Sequence, residues 1–105
     1  MSQTQIHDTG IFQTPNAAKY LRQLCKHFGH KIEVQLDEAT PEAPTATLTF
    51  DRGPITLTAD ATQLTATVTG PNADELATAR YIIDKHLERF AFREAFTNMT
   101  WAASA

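Results

Sequence analysis

Apolar and polar positions along the chain follow two rhythms, and the switches between them mark the elements. Ala17, Leu21, Leu24 and Phe28 recur at helical spacing, with Ala18 and Cys25 widening the stripe. Thr14-Pro15 places a hydroxyl at the N-cap and proline at the first helical position, and Gly29 supplies the stop. After Gly29 the period drops to two. Ile32, Val34 and Leu36 alternate with Glu33, Gln35 and Asp37; Ala46, Leu48 and Phe50 alternate with Thr45, Thr47 and Thr49. Ile55, Leu57 and Ala59 follow, then Leu64, Ala66 and Val68, both interleaved with threonine. A proline-containing loop (Glu38 to Pro44), a hairpin turn (Asp51-Arg52-Gly53-Pro54) and a tight connection (Asp60-Ala61-Thr62) separate these four strands.

Gly70-Pro71-Asn72 ends this meander and starts a second helix. Asn72 with Glu75 three residues on is a capping-box pattern, and Asp74 adds favourable charge to the first turn. The stripe Leu76, Ala79, Ile83, Leu87 and Phe90 predicts a helix reaching Phe92 to Phe96. Ahead of everything, Gln5 to Gln13 mixes Ile6, Ile11 and Phe12 with polar residues around Gly10, as a short or bulged strand would. In the tail from Thr97 to Ala105, Trp101 is expected to pack back onto the domain, with the last residues frayed.

The predicted order is therefore β-α-β-β-β-β-α, an α+β fold. Both helices need a cover for their apolar stripes, and the meander offers one apolar face, so both belong on it. The first strand then pairs with the last meander strand, giving a five-stranded antiparallel sheet of order 2-3-4-5-1 with its threonine face open. This connectivity resembles TATA-binding-protein-like folds, a likeness that implies no function by itself.

Composition narrows the setting. The 105 residues suit one domain over residues 1–105, with no internal repeat or dividing linker. A formal charge of −3 argues against a dedicated nucleic-acid binder. The single cysteine, Cys25, excludes an intrachain disulfide framework and fits a reducing compartment. No stretch approaches the roughly 18 apolar residues of a membrane span, and Met1 to Gln5 shows no basic region leading into an apolar run. The expected location is the cytoplasm of a bacterial cell.

The densest cluster of reactive side chains is Cys25-Lys26-His27-Phe28-Gly29-His30-Lys31. Its C-x-H-x-x-H spacing invites a metal, but on a helix Cys25 and His27 point about 200° apart and cannot face one ion. Cys25 falls on the core side, where a thiol acts as a small apolar group. No metal or other cofactor is expected. His27 and His30 lie about 60° apart and can share a ligand. On the second helix, His86, Arg89 and Arg93 occupy one flank at i, i+3 and i+7. Two readings stay open there: ion pairs with Glu33 or Asp37 near a helix end, or an anion pocket built from guanidinium forks. With the helices side by side, His27 and His86 would meet over such a pocket. Lys19, Arg22, Lys26 and Lys31 give the first helix a cationic face, which suits a negative partner or plain solvation. There is no P-loop, G-x-G-x-x-G, nucleophile elbow or H-E-x-x-H.

Three stretches resemble a bacterial family known as domain of unknown function 2218. They are Thr14-Pro15-Asn16-Ala17 leading to Lys19-Tyr20-Leu21, then Leu24 to Lys31, then His86-Leu87-Glu88-Arg89-Phe90-Ala91-Phe92-Arg93-Glu94. The resemblance implies an association with siderophore-interacting flavin reductases, hence with iron acquisition, and would suit an anionic ferric chelate. Gly10-Ile11-Phe12 departs from the family pattern.

The resulting expectation is a non-enzymatic binding or accessory domain that uses Lys26, His27, His30, His86, Arg89 and Arg93 to engage an anionic small molecule or an acidic protein. No catalytic residue is assigned. One alternative is a small enzyme with His27 or His86 as acid and base, active in the titration range of histidine. Another is a dimerisation module using the open threonine face around Thr56 and Thr67; otherwise a monomer or weak homodimer is expected.

Overall fold

The computed structural model describes residues 5–51, 53–94, 96 and 98–102. Arg52 of the expected hairpin turn, and residues 103–105 of the tail expected to fray, lie outside the described residues. The elements are β1 (Ile6–Gln13), α1 (Ala17–Phe28), β2 (Glu33–Asp37), β3 (Thr45–Phe50), β4 (Gly53–Ala59), β5 (Gln63–Gly70), α2 (Ala73–Phe90), a 3-10 turn (Phe92–Glu94) and β6 (Thr100–Trp101).

The alternation of the meander is realised strand by strand. Leu48, Ile55, Leu57, Leu64, Ala66 and Val68 are buried beneath the helices. Their threonine neighbours pair across the other face, Thr47 with Thr56, Thr56 with Thr67 and Thr67 with Thr9. The strand order β2-β3-β4-β5-β1 matches expectation, but a sixth strand lies outside β1, so the sheet has six antiparallel strands and not five. α1 packs over β3, β4 and β5, and α2 over β5 and β1.

β6 is held by side chains more than by its two residues of ladder. Gly10 pairs with Trp101, and a Cβ on Gly10 would fall 2.7 Å from the indole, so only glycine lets that ring lie across β1. The indole Nε1 and the Met99 amide both donate to the Asp84 carboxylate of α2, each at 2.9 Å. Trp101 thus packs back onto the domain as expected.

β1 buries few of its hydrophobic residues. Ile6, Asp8, Gly10 and Phe12 share the face that meets the core, with Ile6 exposed at the strand end and Phe12 packed against the core, while Ile11 lies on the other face and is exposed. Asp8 is tolerable there because Arg80 of α2 reaches it at 2.6 Å, and a buried carboxylate needs such a partner.

Each helix differs from expectation at one end. Thr14 Oγ1 accepts from the Asn16 amide at 3.0 Å, making a turn that delays the helix to Ala17, two residues past Pro15. α2 starts as expected, with Asn72 accepting from the Glu75 amide at 2.9 Å, but stops at Phe90. Glu94 of the following turn is bound by Tyr20 and by Asn16, ties that fold the chain back onto α1. Among the described residues, no helix is long and apolar enough to cross a membrane.

Candidate functional site

Gln23, Lys26 and His27 share one flank of α1 at i, i+3 and i+4, and His30 follows in the turn beyond it. With Phe90 of α2 they line an open groove of about 350 Å³. Behind the groove lies a cluster of rings drawn from α1, α2 and β3. The His27 ring centre is 4.6 Å from that of His86 at an interplanar angle of 49°, and 6.4 Å from that of Phe90. Phe28 packs edge-on against Phe50 at 5.3 Å and lies 4.8 Å from His86. The two histidines do meet between the helices.

Their nitrogens are not equivalent. His86 Nδ1 is 2.6 Å from the carbonyl oxygen of Ile82, one turn back on its own helix. A carbonyl only accepts, so Nδ1 carries the proton, and in the neutral ring Nε2 keeps its lone pair. His27 Nε2 is buried without a hydrogen-bond partner, and so is Gln23 Oε1. Each such atom costs on the order of 1–3 kcal/mol when left unmade. Among the described residues these are the two side-chain atoms in that condition, and both belong to residues lining one groove.

Electrostatics favour an anion over a cation here. Burial is the largest influence holding the His27 pKa below the usual histidine range, followed by the positive neighbours His86, Lys31, Arg89 and His30. None of these influences is a carboxylate. Lys26 is the fixed charge on the groove's lining, while Lys31 lines a separate hollow with Glu33 and Asp51, and Arg89 one with Asp84 and Glu88. Among the described residues no group of three or more His, Cys, Asp or Glu side chains is placed to hold a metal ion. Cys25 is buried on the core side of α1, and burial, with the charge of Glu38 second, pushes its thiol up to about 11.

Of the six residues singled out from the sequence, Lys26, His27 and His30 line this groove, and His86 packs against His27 behind it. Arg89 instead lines a separate hollow with Tyr81, Lys85 and Glu88 along α2. Arg93 is not on α2 at all: the helix has ended, and its guanidinium lies 5.7 Å from the exposed Phe92 ring. The expected i, i+3, i+7 flank of His86, Arg89 and Arg93 is therefore broken. Among the described residues neither arginine pairs with Glu33 or Asp37; the ion pairs there are Arg22–Glu38 at 2.5 Å and Arg80–Asp8. Gln23 and Phe90 were not singled out, although Gln23 continues the spacing of Lys26, His27 and His30 by one turn.

The family model described as an uncharacterized protein conserved in bacteria, DUF2218, matches residues 9–102. The chain belongs to this DUF2218 family. No curated protein matches it. The NMR structure of PA4090 from Pseudomonas aeruginosa is similar, with 32% sequence identity and a TM-score of 0.69 over 90% of this chain and 93% of that one. In this DUF2218 chain two of the three stretches that carry the family resemblance converge on the groove. Leu24 to Lys31 forms its α1 wall, and the stretch beginning at His86 supplies His86 and Phe90.

Proposed function

We propose that this domain is a small binding or accessory module that takes up an anionic group in the groove between the C-terminal ends of α1 and α2. The observation that carries the reading is the buried, unpartnered His27 Nε2 in a groove also lined by the exposed Lys26 and His30, where the imidazole N–H and the ammonium can both donate to an anion. Cations near helix ends are explained by the helix dipoles alone. The unmade hydrogen bond at His27 Nε2 beside them is not, and an anion accepting from that nitrogen would recover its cost.

Cytoplasmic residence is a further proposal that rests on the single cysteine and the sequence patterning, and a link to iron acquisition is one that rests on the family resemblance. A groove of this volume is at the small end for ligand pockets, so a ferric chelate would present one anionic arm to it. A TATA-binding-protein-like fold is likewise a proposal, resting on the connectivity read from the sequence, and adds nothing to this reading. Dimerisation through the threonine face is the second reading, supported by the cross-strand row of Thr47, Thr56, Thr67 and Thr9.

An NMR titration of the full chain with phenylacetate at constant ionic strength tests the primary reading. Saturable amide shifts centred on Gln23, Lys26, His27, His30 and Phe90 are expected, weakened about threefold in Lys26→Ala, the range of an exposed ion pair. Shifts scattered over the surface, or an unaltered affinity in that variant, would contradict it.

A further inference from the structure

The lining of the groove says more than that its occupant is negative. Gln23 Oε1 is a carbonyl oxygen and can only accept, so its missing partner must be a donor. A bare carboxylate or a sulfate ion cannot supply one. Lys26, at the rim, can only donate and attracts the negative end. Phe90 closes one side with an aromatic ring, a surface that an inorganic ion would leave uncovered and that an apolar body would occupy. The open space of about 350 Å³ suits a small organic acid or one arm of a larger one.

We propose that the groove is specific for a small organic hydroxy acid: a carboxylate toward Lys26, a hydroxyl donating to Gln23 Oε1, and an apolar or aromatic body against Phe90. The inference rests on the anion-binding reading given above and deepens it. His27 Nε2 completes the polar set. Both it and Gln23 Oε1 are buried, so on this proposal the exposed Lys26 and His30 side chains move aside as the ligand enters. A neutral imidazole nitrogen can act there as donor to the carboxylate or as acceptor from the hydroxyl.

Mandelate and phenylacetate differ by the hydroxyl in question, and both carry a carboxylate and a phenyl ring. Titrating the full chain with each enantiomer of mandelate and with phenylacetate, read by amide shifts at pH 7.5 and constant ionic strength, isolates that group. One mandelate enantiomer should bind about tenfold more tightly than phenylacetate, the worth of one hydrogen bond to a buried acceptor. The variant Gln23→Leu should bind both with equal affinity while keeping its amide dispersion. Equal binding of the two acids by the unaltered chain would overturn the hydroxy-acid assignment and leave the anion reading standing. A tenfold preference that survives in Gln23→Leu would overturn the role of Gln23. If neither acid shifts the groove residues, the anion reading falls and this inference with it.

Discussion

The imidazole of His27 lies 4.6 Å from that of His86, one from each helix, with no carboxylate among the charges that act on it. Two histidines this close cannot both become charged without mutual repulsion, and burial adds to the cost at His27. The folded-state pKa of His27 is therefore lower than its unfolded value of about 6.5.

That difference fixes a sign for stability against pH. The unfolded chain takes up the His27 proton more readily, so the contribution of the neutral ring is fully present above about pH 6.5 and is lost as pH falls through the folded pKa. Urea denaturation at pH 7.5 and 5.5 should show a loss of stability on acidification that is smaller in His27→Gln. An identical loss in both proteins would place the pH dependence elsewhere.

The C-terminal strand depends on Asp84. Its carboxylate accepts from Trp101 Nε1 and from the Met99 amide, although burial pushes its pKa up. Asp84→Ala would strand both donors, at about 1–3 kcal/mol for the group they lose. Denaturant melts should report that loss, and the fluorescence of the single tryptophan should move to the red as β6 releases. Unchanged emission would mean that the pairing of Gly10 with Trp101 holds the strand unaided.

Asp8 and Arg80 make the second testable tie. The Asp8 side chain is 1% exposed and that of Arg80 23%, so removing the arginine leaves a carboxylate in the core. Arg80→Met should cost about 2–3 kcal/mol, below the usual toll of breaking a fully buried pair because Arg80 is partly wet. Adding Asp8→Asn to that variant should restore part of the loss. A double variant as unstable as the single one would show that charge burial is not the cause.

These two ties also explain which parts of the fold were legible in the sequence. The meander could be read because every strand buries one face, so that Leu48, Ile55, Leu57 and Leu64 alternate with threonine. β1 could not be read in the same way, because the middle two of its core-facing positions are a salt-bridged aspartate and a glycine that makes room for an indole, leaving only Ile6 and Phe12 at the ends as apolar markers. β6 is two residues long and exists through contacts with Asp84 and Gly10, which no local pattern reveals. The α1 side of the groove was visible as a polar flank of Lys26, His27 and His30. Arg93 was grouped with His86 and Arg89 by extending the helical period beyond Phe90, where the chain turns away to bind Glu94 to Tyr20 and Asn16, whereas Arg89 stays on α2 but lines a separate hollow.

The central claim is that an anion sits beside His27, and the imidazole itself is the most direct reporter. Its titration should be followed by nitrogen and carbon-bound proton shifts, with and without saturating phenylacetate at equal ionic strength. A negative charge within the groove favours the protonated ring, so the His27 pKa should rise on binding. A His27 titration curve that is unmoved, or displaced to lower pH, would contradict the account.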